Sequence, residues 1–418
     1  MSEFGSYLGT MTAGAATLLV LLAGGAAEAL TEADVDAAAA KAHRGIRTVV
    51  RRLAATNLAG RDNDTPGSVT AQTWLVRKLK RLGQGAIVGV AGDTAYRQPF
   101  ESSGQRGTNL LAVIRGRELP DEYVVVGAHY DHLDSRSDAN GHCAARATPG
   151  SAVCNGATDN ATGVAAVLAA GKAVRKLPTP PRRSIVLALW DAEEDGLVGS
   201  QHYVANPPVP LAAITAYVNF DIQGAVLLPS LRDTSFAVGA ETGGGILETI
   251  VDDAVNAEGI DTLRLSYIFG QYRSDYVSFG EAGVPTVFFS DSTGGCYHTV
   301  LDDPSVVSYP KLIRQSHVGF RTAIALAETS TPPVFSPASA TLAEYDDAVA
   351  IAATVRRGMA DVALLPPGDH AALEQADATL QALVAAGSAA FDAADAATLL
   401  RITVQLVELL TRIPCQRF

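Results

Sequence analysis

Between residues 34 and 56 the apolar positions recur at helical spacing, and a second amphipathic stretch, "VTAQTWLVRKLKRLG", closes at Gly83 as a helix should. Two helices are therefore expected before the first strands. Beyond them the pattern changes to continuous apolar runs bounded by turn residues: "NLLAVIRG" at 109–116, "YVVVGA" at 123–128, "SIVLALW" at 184–190, "AYVNF" at 216–220 and "VPTVFF" at 284–289. Helical patterns separate or follow these runs at 160–175, 199–205, 244–257, 273–282 and 309–328. Strands that are apolar at consecutive positions belong to a sheet covered on both faces. The pattern predicts a three-layer α/β/α sandwich around a mostly parallel, mixed sheet, and in such sheets ligands bind beyond the carboxyl ends of the strands.

The composition turns proline-rich at "STPPVFSPAS", which marks a linker over 330–340. Beyond it Thr341 and Glu344 have the spacing of a capping box before an alanine-rich helix, and further helical patterns follow at 368–386 and 393–412. Residues 341–418 thus read as a helical extension that packs on the preceding domain, 30–329, or on a partner. At the other end, "TAGAATLLVLLAGGAAEA" joins a short apolar run to small residues, with Ala27-Glu28-Ala29 matching an export cleavage site, although the first ten residues carry Glu3 and no Lys or Arg. The expectation is a signal peptide over 1–29 and a secreted or periplasmic product. The run is shorter than the ~20 residues of a spanning helix, so no membrane anchor is expected in the mature form.

The composition changes the picture in two ways. With 48% hydrophobic and 18% charged residues among 418, the chain can bury a large core, while a net charge of -12 excludes the basic stripe that nucleic acid or an anionic membrane requires. Four cysteines suit an oxidising compartment. Cys143 and Cys154 bound a short loop and are expected to pair; the pairing of Cys296 with Cys415 stays open.

Candidate chemistry gathers where strands end. His129 and Asp131 follow the valine run, Glu193 and Glu194 follow "LALW", Asp221 follows "YVNF", and His298 follows "FFSDSTGGCY"; Asp159 joins them from the start of a helix. Four carboxylates in one crevice would raise one another's pKa values unless cations offset them. Two histidines with several carboxylates suit Zn²⁺, and this many donors suit two ions sharing a carboxylate better than one. His132 and His202 read as ordinary histidines, Asp302 and Asp303 as turn or supporting residues. Asp134 and Asp138, in the loop 135–154, read as solvated rather than as a further ion site.

Taken together, "GAHYDH", "NGATDNATGVAA", "DAEEDGLVGSQHY", "NFD" and "CYHTVLDD" resemble, in this order, the signature segments of the secreted bacterial two-zinc leucine aminopeptidases. These belong to a group of co-catalytic zinc exopeptidases that includes glutamate carboxypeptidases and glutaminyl cyclases. The resemblance spans about 34–328 and leaves the helical extension outside. It implies a zinc peptidase domain with two zinc ions: His129 and Asp221 on one, Glu194 and His298 on the other, Asp159 bridging. It further implies that Asp131 fixes the His129 imidazole, that Glu193 takes the proton from the water shared by the ions and hands it to the leaving amine, and that Tyr297 helps stabilise the oxyanion. The implied substrates are peptide or protein N-termini. Three alternatives stay open at this level: a glutaminyl cyclase-like acyltransferase, a zinc carboxypeptidase for which Arg264 and Arg273 are the nearby cations, and a non-catalytic binding module of the same fold.

Overall fold

Alternation of side chains within otherwise continuous apolar strands decides the architecture. In β4, Leu119–His129, Val124, Val126 and Ala128 face one core while Tyr123 and Val125 face the other. In β5, Arg183–Trp190, Ile185, Leu187 and Leu189 oppose Val186, Ala188 and Trp190 in the same way. Each strand therefore buries both faces, as the period of two requires. The chain is described by a computed structural model, covering residues 30–417 apart from 88–89, 103, 134–142, 144–152 and 338–341; the expected signal peptide lies outside the described residues.

Among the described residues nine strands form one sheet. Besides β4 and β5 they are β1, Gln84–Gly85; β2, Arg97–Ser102; β3, Gln105–Ile114; β6, Ile214–Phe220; β7, Ser235–Val238; β8, Thr262–Leu265; and β9, Thr286–Ser290. The order is β1-β3-β5-β4-β6-β9-β7-β8, with β2 beside β3. The central neighbours β5·β4, β4·β6 and β6·β9 are parallel, and antiparallel pairs at β3·β5 and β7·β9 make the sheet mixed. The five predicted runs are β3, β4, β5, β6 and β9.

One layer comprises α1 (Glu32–Ala42), α2 (Ile46–Leu53), α3 (Pro66–Leu79), α4 (Thr162–Val174), α6 (Gly244–Glu258) and α8 (Tyr309–Glu328), whose buried side chains share the first core. Local chemistry starts them: Thr31 and Asp34 close a capping box on α1, and Thr65 caps α3 ahead of Pro66. The opposite layer holds α5 (Val198–Ala205), α7 (Tyr276–Glu281) and three C-terminal helices, α9 (Tyr345–Gly358), α10 (His370–Ala386) and α11 (Ala393–Thr411). Ala348, Ile351 and Val355 of α9, Leu380 of α10 and Leu399 of α11 lie in the same core as Val125 and Val186 of the sheet. The C-terminal extension is thus part of a layer. Its first cap differs from the expected one: Glu344 is the N-cap and Asp347 its reciprocal partner, while Thr341 lies outside the described residues. Among the described residues no helix is long and apolar enough to cross a membrane.

Cys143 pairs with Cys154 and Cys296 with Cys415. The first closes 11 residues and the second 119, so on the chain-entropy model they constrain the unfolded chain by roughly 3 and roughly 5 kcal/mol. Replacing Cys296 and Cys415 together by Ser is expected to lower the thermal midpoint more than replacing Cys143 and Cys154. Calorimetry on the two double variants checks the order; equal midpoints would count against it.

Candidate metal centre

The parallel strands β5, β4, β6 and β9 deliver their carboxyl ends to one crevice. His129 is the last residue of β4 and Asp221 the first after β6, while Glu193 and Glu194 lie in the turn after β5. Asp159 comes from the turn before α4, in non-helical backbone with a cis Asp159-Asn160 bond, and His298 from the loop after β9. His129 Nε2 lies 3.3 Å from Asp159 Oδ1 and 3.3 Å from Asp221 Oδ1. His298 Nε2 lies 3.2 Å from Asp159 Oδ2 and 3.1 Å from Glu194 Oε2. The two oxygens of Asp159 therefore face two different donor groups. Glu193 Oε2 is 3.9 Å from His129 Nε2, outside hydrogen-bond range.

The electrostatics are those of an acidic pocket short of cations. Burial, reinforced by Asp221, Glu194 and Asp275 and opposed by His129, holds the Glu193 carboxyl well above its usual range. Burial pushes Asp159 up, but the His129 and His298 imidazoles against its two oxygens outweigh it and hold this carboxyl well below the usual range. Burial and Asp159 also push Glu194 up, against His298 and His132, which bring it to about 2. Burial lowers His298, yet Glu194 and Asp159 raise it to about 10. Asp191 and Asp275 behind the cluster are raised to about 8 and about 7, chiefly by burial. His298 Nε2 sits against two carboxylate oxygens without a hydrogen bond, and His132 Nε2 is buried without a partner. This donor set fits divalent cations: among the described residues three groups are each able to hold an ion, His129 with Asp159 and Asp221, His129 with Glu193 and Glu194, and His132 with Asp159 and Glu194.

Residues behind the donors set their positions. Asp131 Oδ1 is 3.5 Å from His129 Nδ1, and its Oδ2 accepts from the Glu194 N–H at 3.2 Å, so one carboxylate ties two donors together. Asp302 accepts from the backbone N–H groups of Thr158 and Asp159 at 2.9 and 3.1 Å, holding the Asp159 turn from the side. His132 Nδ1 lies 2.7 Å from Glu194 Oε1, which gives this histidine a place in the site that the sequence reading denied it. Its neighbour Asp131 in "HYDHLD" was the signal. Arg61 had no such signal. Its guanidinium, fully buried, donates to the carbonyls of Tyr130 (2.6 Å), Asn155 (2.6 Å) and Gly156 (2.8 Å) and reaches those of Leu53 and Asp159. Burial brings it down to about 10 while the charges of Asp159, Asp131, Asp302 and Glu194 oppose the fall.

Tyr297 lines the pocket with its ring stacked on His298, centroids 3.7 Å apart. His202 stands elsewhere, stacked on Phe100. Arg264 is committed to Glu248 and Asp252, whereas Arg273 lies at the pocket rim. Asp303 accepts from the Ser305 N–H in a turn, and Asp134 and Asp138 lie outside the described residues.

A model described as peptidase family M28 matches residues 109–321. Leupeptin-inactivating enzyme 1 of Streptomyces exfoliatus is 28% identical over 329 residues, covering 73% of this chain and 66% of that protein. The chain spans about two thirds or less of the length of the first curated relatives it matches. The crystal structure of the LapA aminopeptidase of Legionella pneumophila aligns with a TM-score of 0.55 at 21% identity, over 72% of this chain and 76% of that one. The glutaminyl cyclase of Porphyromonas gingivalis aligns with a TM-score of 0.53 at 19% identity, over 67% and 96%. At these identities the two structures share the fold.

Replacing Arg61 by Lys keeps the charge but removes the planar fork that spans several carbonyls. Metal affinity is expected to fall ~10- to 100-fold, the range seen when groups supporting metal ligands are lost, because the Asp159 turn loosens while every donor is retained. Competition with a fluorescent chelator measures it; unchanged affinity would show that the turn holds itself.

Proposed function

The chain belongs to peptidase family M28, and we propose that it is a zinc aminopeptidase acting outside the cytoplasm, holding two ions and removing the N-terminal residue of peptides. The observation that carries the reading is the divided aim of Asp159, with Oδ1 toward His129 and Asp221 and Oδ2 toward His298 and Glu194. A carboxylate between two donor groups suits a bridging ligand. His129 and Asp221 would hold one ion and Glu194 and His298 the other, with Asp131 fixing the His129 ring and His132 orienting Glu194. Two disulfides support an oxidising destination.

Bound zinc supplies a Lewis acid for the scissile carbonyl and acidifies water. Glu193 takes the proton from the attacking water and returns it to the leaving amine. Its buried carboxyl, inclined to hold a proton in the absence of neighbouring cations, suits a group that must pick one up and release it. Burial, with Asp159 and Glu194, keeps the Tyr297 phenol well above its usual range, so its hydroxyl stays a donor for the oxyanion. The free amine of the substrate is drawn to the surplus of carboxylates. Hydrolysis of aminoacyl anilides with free and blocked amines tests the reading, and a protein that cleaves only blocked substrates would contradict it.

Two expectations follow. At saturation the purified protein should hold two zinc ions per chain, and removing them should abolish activity; full activity with a single ion would overturn the two-ion reading.

Replacing Glu193 by Gln should lower kcat ~10²- to 10⁴-fold, the usual cost of losing a positioned base, with zinc content unchanged. Replacing Glu194 by Gln should weaken zinc binding first, with activity partly restored by added zinc. The opposite assignment of effects would exchange the two roles.

A further inference from the structure

A cavity of about 180 Å³ is lined by Asp159, Glu193, Glu194 and Asp221 together with many apolar side chains, and much of that apolar lining belongs to the C-terminal extension. In α11 the lining residues Thr403, Leu406, Val407 and Leu410 recur at i, i+3, i+4 and i+7, one stripe of a helix. Ile351 and Val355 do the same from α9. Leu406, Val407 and Leu410 are only partly buried, so the stripe faces open space that apolar matter would fill.

The wall is fixed to the site it faces. Asp347, buried at the start of α9, accepts from both the Ser266 N–H and hydroxyl at 2.7 Å, and Arg357 pairs with Asp261 at 2.6 Å. Leu365, Leu409 and Ile413 share a small core with Leu228 and Leu231. The Cys296–Cys415 bond joins the end of the extension to the residue beside Tyr297 and His298. At Gly295 a Cβ would fall 1.9 Å from the Ile413 carbonyl oxygen, so the two backbones lie in direct apposition and no side chain fits between them.

We propose that the C-terminal helices are the specificity wall of the enzyme: the α11 stripe, backed by α9, seats the side chain of the substrate's N-terminal residue and sets the largest apolar side chain accepted. This rests on the aminopeptidase reading above. The volume agrees, because an apolar cavity of ~150 Å³ accommodates a benzene-sized group; the pocket thus takes a leucyl or phenylalanyl side chain. The position agrees as well, since the carboxylates that would hold the reacting end and the α11 stripe line the same cavity.

The test uses the full-length zinc protein and a series of alanyl, leucyl and phenylalanyl anilides. Val407→Trp and Leu406→Trp fill the pocket and should lower kcat/KM for the leucyl and phenylalanyl substrates at least ~10-fold relative to the alanyl one, since small changes of apolar fit are worth ~10- to 200-fold. Leu406→Ala, which enlarges the pocket and stands in if the Trp variants fail to fold, should shift the leucyl-to-phenylalanyl ratio toward phenylalanyl. Gln405→Trp, on the exposed side of α11, should leave the ratios as in the wild type. Ratios unchanged within twofold in the folded pocket variants would overturn the proposal. If the wild type cleaves no anilide, the aminopeptidase reading fails separately, and calorimetry with leucinamide and alaninamide decides on the pocket: binding that favours leucinamide and is lost in Val407→Trp supports it, and equal binding of the two overturns it.

Discussion

Too much negative charge in too little water is the constraint around which this molecule is arranged. Asp131, Asp159, Asp191, Glu193, Asp221, Asp275 and Asp302 are all buried at one end of the sheet, Glu194 stands nearly so, and the Arg61 guanidinium and the imidazoles of His129, His132 and His298 are placed among them. A low-dielectric crevice makes such a set unstable unless protons or metal ions balance it. The raised Asp191, Glu193 and Asp275 mark where protons do so. The imidazoles of His129, His132 and His298 do the opposite at Asp159 and Glu194, holding both carboxyls low.

That concentration depends on the strands below it. Only a parallel arrangement brings several carboxyl ends to the same edge, and only helices on both faces keep water from the strands that carry them. The apolar runs of β4, β5 and β6 stop one to four residues short of His129, Glu193, Glu194 and Asp221 or end on them. Core and site are consecutive in the chain, and the transition between them is abrupt.

This abruptness is why the central part was legible in sequence. A valine run that ends in His129 and Asp131 announces both a buried strand and a site, and the donors from five segments reinforce one another. The last two strands of the sheet carried no comparable signal: β7 and β8 have four residues each, and β8 is only partly buried, so neither yields a continuous apolar run. Arg61 was invisible for a different reason. Its role comes from carbonyls of residues as far as 98 positions away, and a backbone acceptor leaves no trace in a side-chain pattern. The C-terminal helices were recognised from their periodicity, but an amphipathic stripe reports that a helix has an apolar face and not what lies opposite. Nor could spacing identify the Cys296–Cys415 pair across 119 residues.

The supports of Asp159 show how such a site stays in register when its donors repel one another. Asp302 takes the N–H groups on one side of the turn and Arg61 the carbonyls on the other, so the backbone of the turn is gripped through both kinds of polar group. The carboxylate is then carried by a fixed backbone, and its two oxygens can point to opposite donor groups without relying on either for orientation. His129 is fixed by the strand it terminates, and His298 by a loop bonded through Cys296 to the end of the chain. Each donor is thus anchored in a different element. Asp131 links two of them, His129 and Glu194, so the geometry of the donor set depends on the packing of the whole sheet against both helical layers.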